Sequence, residues 1–475
     1  MKDSDKKKIY VKTFGCQMNE YDTEKMLSLL SKEYQRVEDP DGADLVIVNT
    51  CSVREKGEHK LFGLLGRLRQ LKEQKPSMVI GVGGCVVQQE GENIIKRSPS
   101  VDFVVGTHNL SLIPSLVSNS AIGGTPQVAI DYRDEWDELP DEFDALPDEN
   151  SIVKSAFNTS VRALVAIQRG CDKMCSYCVV PTTRGKQVSR DSAEILKEIR
   201  LKVRMGTKEV MLLGQTVNSY GIDLSPRLKF SELVKNIADI DGVKRIRFTS
   251  PHPAEFKKDF IKLYAEVPSL CPHIHLPLQS GNNRILKIMN RNYRIERYLE
   301  IVDSLREIVP DIAITTDIIA GFPGETEEEF QDTIEIVKKV KYHSVYSFKY
   351  SQRPNTAAKQ MFKAEDEVPE VVKQRRLKEF QDVQENISLE FNRNYEGQEI
   401  EILVESQAKA LSLFRGRSLH NVPAEFHALE TEEIKLGDII TAKVFRSSPH
   451  VLKAMTNISF VNVSDNNLSS SGFIR

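Results

Sequence analysis

The chain's 475 residues exceed what one hydrophobic core usually supports, and 40% hydrophobic with 28% charged residues is the composition of a soluble globular protein of two or three domains. No apolar run approaches the roughly 18 residues of a membrane helix, and the charged start Met1–Lys8 has no secretory apolar stretch, so a cytoplasmic location is expected. The net charge of −3 argues weakly against nucleic acid, but Asp131–Glu149 concentrates ten acidic residues against one arginine, which leaves +6 on the rest, compatible with RNA.

Across residues 1–130, short β-branched runs at Ile9–Thr13, Leu45–Asn49, Met78–Val82 and Phe103–Val105 alternate with helical patterns at Glu20–Lys32 and Arg54–Lys72. Strand–helix alternation implies a parallel sheet covered on both faces. Residues 131–152 are acidic, contain proline and lack periodicity, and read as a linker. The alternation resumes over 153–394 with six candidate strands: Ala163–Gln168, Glu209–Leu213, Arg245–Thr249, His273–Pro277, Ile312–Ala320 and Val345–Tyr350. Helical patterns follow the first five, among them Asp191–Met205 and Asn283–Val309.

Six βα units fall short of the eight of a closed barrel. An α/β chain with a partial (βα)6 barrel is therefore expected, its chemistry at the strands' carboxyl ends. In the fifth unit Gly321-Phe-Pro-Gly324 is a turn whose glycines read as structural. Thr326 and Glu329 follow as a capping box, and Phe330, Ile334 and Val337 share a helical face. A charged helix at Glu370–Asn394 leads to short alternating runs at Glu399–Glu405, Leu411–Phe414, Ile439–Phe445 and Val451–Ile458. These read as a small antiparallel β-barrel over 395–463, of a style that binds oligonucleotides. The Ser- and Asn-rich residues 464–475 are expected to fray.

In a reducing compartment seven cysteines point to metal binding or catalysis before disulfides. Cys171-Asp-Lys-Met-Cys175-Ser-Tyr-Cys178 follows the first barrel strand. A 4Fe–4S cluster normally takes four thiolates, so three would leave one iron open. Zinc is the other reading, but it favours four ligands with paired spacing, and no fourth stands nearby. Cys16, Cys51 and Cys85 recur at intervals of 35 and 34 residues, each at the end of a candidate strand, so parallel strands could bring them to one edge. Buried structural cysteines are the alternative there. Cys271 has no partner set and reads as structural.

These residues resemble the methylthiotransferases of the radical S-adenosylmethionine (SAM) superfamily, and within them the branch acting on N6-dimethylallyl adenosine in tRNA. The resemblance rests on Thr13-Phe-Gly-Cys-Gln-Met-Asn19, Val48-Asn-Thr-Cys51, Gly83-Gly-Cys85 and Gly170 to Pro181 with Arg184-Gly185. It continues through Leu212-Leu-Gly-Gln215, His275-Leu-Pro-Leu-Gln-Ser-Gly281 and Gly321-Phe-Pro-Gly-Glu-Thr326, to a C-terminal barrel of the TRAM type. Thr182, Gln187, Thr216 and Asn355 stand where the branch commonly has tyrosine, an acid, asparagine and glycine; none is expected to touch a cluster ligand. Other branches act on a threonylcarbamoyl-adenosine in tRNA or a ribosomal-protein aspartate, and Val179-Val-Pro181 points to the dimethylallyl branch. A non-catalytic, zinc-containing RNA-binding module is the alternative from another class.

The resemblance implies two 4Fe–4S clusters. One on Cys171, Cys175 and Cys178 would bind SAM and yield a 5′-deoxyadenosyl radical. The other, on Cys16, Cys51 and Cys85, would hold the sulfur that a second SAM methylates. Tyr177, Arg190, Gln215 and Gln279 are the candidate SAM contacts, with Arg190 suited to a carboxylate. Arg284, Lys287, Arg291, Arg294 and Arg297 cluster after the fourth strand, and Arg415 and Arg417 flank Gly416 on an expected loop; these are the candidate RNA contacts. The implied partners are a tRNA anticodon stem-loop, an electron donor such as a flavodoxin or ferredoxin and a sulfur source, with the chain a monomer.

Overall fold

A computed structural model describes residues 6–52, 55–133, 136, 161–408, 412–428 and 433–456. The chain divides into two units, Met1–Gln384 and Glu385–Arg475.

The first unit opens with six parallel strands: β1 (Lys7–Phe14), β2 (Tyr34–Val37), β3 (Leu45–Thr50), β4 (Val79–Gly84), β5 (Phe103–Val105) and β6 (Gln127–Ala129), in the order β2-β1-β3-β4-β5-β6. Alternation along β3 explains its unbroken apolar run. Leu45 and Ile47 enter one core with Ile9, Met26 and Phe103, while Val46 and Val48 enter the other with Leu61, Leu65 and Val82. The expected strands are present; β2 and β6, short edge strands, are additional.

Next come β7 (Arg162–Ala166), the short antiparallel pair β8 (Gln168–Arg169) and β9 (Val188–Ser189), then β10 (Glu209–Leu213), β11 (Arg245–Phe248), β12 (His273–His275), β13 (Ala313–Ala320) and β14 (Ser344–Lys349). The other six strands, all parallel, form two sheets, β11-β10-β7 and β12-β13-β14. The seam is a single parallel bridge, Ile246 to Leu270, with the Cys271 amide donating to the Ile246 carbonyl at 3.1 Å. Cys271 is buried there.

Where the sequence reads one helix over Asn283–Val309, the structure has two, Asn283–Ile288 and Ile295–Ile308. Asn290 and Asn292, both at φ 56°, break the helix, since asparagine tolerates the left-handed region better than most residues. The capping box at Thr326 and Glu329 is present, and Phe330, Ile334 and Val337 are buried below it.

The N-terminal sheet and the barrel strands lie in one compact unit. Met18 and Tyr21, on the helix Gln17–Leu30, pack against Leu164 and Ala166 of β7 and Met211 and Leu213 of β10, with Trp136 against the same cluster. The start of the acidic stretch is held down: the Arg133 carbonyl accepts from Arg169 Nη2 at 2.6 Å and lies 2.9 Å from His108 Nδ1. Of the expected linker, residues 134–135 and 137–152 lie outside the described residues.

The helix Glu370–Arg393 leads from the first unit into the second. There β15 (Glu399–Gln407), β16 (Leu413–Ser418), β17 (Pro423–His427), β18 (Ile439–Ser447) and β19 (Leu452–Met455) close into a barrel in the order β15-β16-β17-β19-β18. Its core includes Ile402, Val404, Phe426, Val444 and Leu452. β17 is a strand the sequence reading lacks, and its pairing with β19 is parallel, so the barrel is not wholly antiparallel. The expected frayed tail, 464–475, lies outside the described residues.

Candidate active site

Sheet topology explains the first cysteine trio. β1, β3 and β4 are adjacent and parallel, so the residues that follow them emerge at one edge. Cys16 caps the helix after β1, Cys51 follows β3, and Cys85 opens the helix after β4. Gly84, at φ 97°, makes the last turn possible, because a Cβ there would lie 2.3 Å from the Thr50 carbonyl oxygen.

Two buried asparagines fix the edge. Asn19 Nδ2 donates to Asn49 Oδ1 at 3.1 Å and to the Thr50 carbonyl at 3.3 Å, while Asn49 Nδ2 returns a bond to the Asn19 carbonyl at 2.8 Å. Cys16 Sγ lies 3.3 Å from Asn19 Oδ1. The Cys51 thiol is hydrogen-bonded to both Cys16 and Cys85. It holds their pKa values below the usual thiol range, with help from the Arg184 charge, while its own is driven up.

The second trio sits in the loop after β8. Gly170, at φ 71°, admits the chain so close to the returning strand that a Cβ would lie 1.9 Å from the Lys186 carbonyl oxygen. Every sulfur has a nearby donor: the Lys173 amide at 3.4 Å from Cys171, Arg291 Nη1 at 3.5 Å from Cys175 and the Val180 amide at 3.4 Å from Cys178. Thr216 Oγ1 lies 3.3 Å from Cys171 Sγ, so this residue, expected clear of the ligands, touches one. In the metal-free chain burial raises Cys171 and pushes Cys178 up to about 12.

Arg184 ties the trios together. It ends the short helix Val180–Arg184 that follows Cys178. It is buried, and its Nη2 pairs with Asp22 Oδ2 at 2.7 Å. Burial opposes its charge, but Asp22, Cys85 and Cys16 outweigh the cost. The backbone of the same segment is gripped by the N-terminal sheet: Thr107 Oγ1 donates to the Thr183 carbonyl at 3.0 Å, and the Tyr132 hydroxyl to the Thr182 carbonyl at 2.5 Å.

Comparison with known proteins identifies this arrangement. A model described as the Radical SAM superfamily matches residues 165–337, and one described as Uncharacterized protein family UPF0004 matches residues 8–106. The chain is 44% identical over 415 residues to the tRNA-2-methylthio-N(6)-dimethylallyladenosine synthase of Geobacter sulfurreducens, covering 87% of this chain and 90% of that one. To the synthase of that name from Thermobifida fusca it is 41% identical over 453 residues, covering 94% and 89%. The chain belongs to the family of tRNA-2-methylthio-N(6)-dimethylallyladenosine synthases. In fold it resembles the radical SAM methyltransferase TsrM of Kitasatospora setae, with a TM-score of 0.54 at 13% identity over 74% of each chain.

For a chain of this family, the fit of the cofactors rests on its own atoms. All seven cysteines are free thiols. Among the described residues no three of His, Cys, Asp and Glu form a ready shell for one metal ion; the trios are gathered thiols with donors around them, suited to capping a cluster. Three buried polar atoms, Gln215 Oε1, His252 Nε2 and Arg291 Nε, have no hydrogen-bond partner among the described residues, and Arg291 is the residue whose Nη1 reaches Cys175. They are buried donors and acceptors that a polar ligand would satisfy.

The remaining candidates take varied places. Tyr177 packs beside Met289, Phe322 and Tyr350. Gln279 is buried at φ 71°, and its amide donates to the Asp317 carbonyl at 2.8 Å. Arg190 is held in a buried pair with Glu198 and lies 3.3 Å from the Tyr21 hydroxyl. Arg291 is not on a wet helix face: the break at Asn290 and Asn292 turns it inward, where its Nη2 donates to the Pro277 carbonyl at 3.2 Å. Arg284 grips Glu329 at 2.5 Å and 2.6 Å, Arg294 and Arg297 pair with Glu296 and Glu300, and Lys287 is exposed. Arg415 and Arg417 lie within strand β16, not on a loop, and pair with Glu425 at 2.9 Å and Glu405 at 3.4 Å. Asn19, Asn49, Asp22, Arg184 and His252 are among the site residues to which the sequence reading gave no role. Three of them stand inside its own motifs, and their spacing from the cysteines was the available signal.

Proposed function

We propose that this chain installs a methylthio group at C2 of an N6-dimethylallyl adenosine beside the anticodon of tRNA, the reaction for which its relatives are named. The observation that carries the reading is the pair of thiol trios, each at the carboxyl edge of a parallel sheet, joined through Asp22 and Arg184. An aromatic C–H is far too weak an acid for any side-chain base near neutral pH. When bound, a 4Fe–4S cluster on Cys171, Cys175 and Cys178 supplies the electron that opens SAM to a radical, and one on Cys16, Cys51 and Cys85 supplies the site of the transferred sulfur.

The chain's own residues do the rest. The Lys173 and Val180 amides and Arg291 stabilise negative charge on the three sulfurs of the loop. Gln215, His252 and Arg291 offer the unspent polar atoms that orient SAM. Arg184 offsets the charge of Cys85 and Cys16. A second SAM as methyl donor, a flavodoxin- or ferredoxin-type electron donor and a sulfur source complete the reading, with the enzyme acting as a cytoplasmic monomer. No described helix is long and apolar enough to cross a membrane.

The test is a nucleoside digest of tRNA from a host lacking this modification and expressing the chain. The 2-methylthio nucleoside is expected; its absence from a strain with iron-loaded enzyme would refute the reading. Cys175→Ala is expected to abolish SAM cleavage, and Cys51→Ala to release 5′-deoxyadenosine without methylthiolated product.

A further inference from the structure

Strand β14 departs from the usual economy of an edge strand. Its residues alternate between exposed Ser344, Tyr346 and Phe348 and half-buried Val345, Ser347 and Lys349. The exposed positions of such a strand are ordinarily polar. Here Tyr346 is 52% and Phe348 42% exposed, two aromatic planes on one face.

Parallel register places Tyr346 beside Asp317 and Phe348 beside Ile319, with His275 beside Thr315 on the neighbouring strand. The opposite face of the sheet, with Ile274, Leu276, Ile314 and Ile318, is fully buried. His275 is fixed between two partners, its Nδ1 3.0 Å from Thr315 Oγ1 and its Nε2 3.1 Å from Asp317 Oδ2. The Tyr346 ring meets the imidazole edge-on, with centroids 5.7 Å apart. At the upper end of this face Ile319 packs in the cluster that also holds Tyr177, the residue between Cys175 and Cys178. The open face thus leads from the aromatic pair to the cysteine loop.

We propose that Tyr346 and Phe348 are a stacking platform for a purine base splayed out of an RNA loop, with the His275–Asp317 pair meeting the polar edge of that base. Side chains two apart on a strand stand about 6.6 Å apart, close to twice the 3.4 Å spacing of stacked bases. That is the width for one base between two rings. An apolar peptide would cover the rings but strip water from His275 and Asp317 without replacing its hydrogen bonds. A base brings both a π-face and an edge of donors and acceptors. Chemistry on a ring carbon also needs the base out of its stack. The inference rests on the proposed function and adds where the substrate base is held.

The test uses the iron-loaded full chain and two anticodon stem-loop RNAs, one bearing N6-dimethylallyl adenosine and one abasic at that position. Binding is read by fluorescence anisotropy at one fixed salt concentration. The wild type is expected to prefer the base-bearing RNA. Tyr346→Leu/Phe348→Leu is expected to lose roughly 10- to 100-fold of that preference, with iron content and affinity for the abasic RNA unchanged, and Tyr346→Phe to retain it. Equal losses on both RNAs, an unchanged preference, or an altered molecular mass by light scattering that assigned the face to a second copy, would each overturn the platform. Methylthiolation of the same RNA by the wild type separates the two claims. Product together with an unmoved preference in the double variant would sink the platform alone. A wild type that neither modifies the RNA nor prefers the base would sink the proposed function with it.

Discussion

The Asp22–Arg184 pair carries the sharpest prediction, because its two side chains are 8% and 6% exposed and come from two helices far apart in sequence, Gln17–Leu30 and Val180–Arg184. Removing one partner of a buried pair strands the other charge and costs about 3–5 kcal/mol. Arg184→Met leaves the Asp22 carboxylate without its cation and should show that cost in full. Asp22→Asn is expected to cost less, about 1–3 kcal/mol, because Arg184 still faces the sulfurs of Cys16 and Cys85. The double variant strands no charge and should fall well short of the sum, a coupling on the order of 2 kcal/mol.

The chain's one tryptophan is placed to read this, since Trp136 packs on Met18, Tyr21, Leu164 and Met211, where the N-terminal helix meets the barrel strands. Anaerobic urea titrations followed by its fluorescence should show midpoint shifts on the order of 1 M for Arg184→Met. Two single variants of equal cost that add in the double would refute the reasoning, because charges that do not interact are additive.

Three further outcomes follow from the geometry. Burial alone would raise the Glu198 carboxyl, but Lys202 and Arg190 outweigh it and hold it at about 2, against 4.5 for the free group. Its stabilisation is therefore complete above about pH 4.5 and is lost as pH falls toward 2. Glu198→Gln should be less stable at pH 7, by up to about 3 kcal/mol, and should show a shallower acid limb in that window by Trp136 fluorescence. Gly84→Ala should displace Cys85 by the clash with Thr50 and lower iron from about eight to about four per chain while SAM cleavage persists; Gly170→Ala should spare that half and lose cleavage, both read by iron analysis and 5′-deoxyadenosine release. In the terminal barrel Arg415 and Arg417 must exchange Glu425 and Glu405 for phosphates to hold RNA. Neutralising both should flatten the salt slope of tRNA binding by about 0.7 per cation, and an unchanged slope would remove these two from the interface.

What the sequence shows and what it hides have a common physical origin. Buried parallel strands announce themselves as unbroken apolar runs, and a cysteine at the carboxyl end of each can be placed without coordinates, as Cys16, Cys51 and Cys85 were. The direction of a long polar side chain cannot, because it depends on a few dihedral angles. Had residues 283–309 remained one helix, Arg291 would lie on it one turn beyond the exposed Lys287; two left-handed asparagines instead send it to Cys175. Trp136, one aromatic inside an acidic stretch, packs on the cluster of Met18, Tyr21, Leu164 and Met211, a contact that composition does not announce. Arg190 read as a candidate for a carboxylate and has one, but it belongs to Glu198.

The substitutions that set this chain apart from its branch make sense in the same terms. Thr182 replaces a common tyrosine, and it holds the loop by its carbonyl, which accepts from Tyr132, and by its hydroxyl, which donates to the Val179 carbonyl at 2.9 Å. Asn355 replaces a common glycine at φ 59°, a conformation asparagine also tolerates. Gln187 replaces a common acid, and an amide can do there what a carboxylate cannot: it accepts from the Ser219 hydroxyl at 2.6 Å and donates to the Ser219 carbonyl at 2.9 Å. Thr216 differs in kind, because its hydroxyl reaches Cys171 itself. Three of the four changes therefore preserve backbone geometry by other means, and the fourth alters the surroundings of a sulfur, so the substitution with chemical consequence is the one at residue 216.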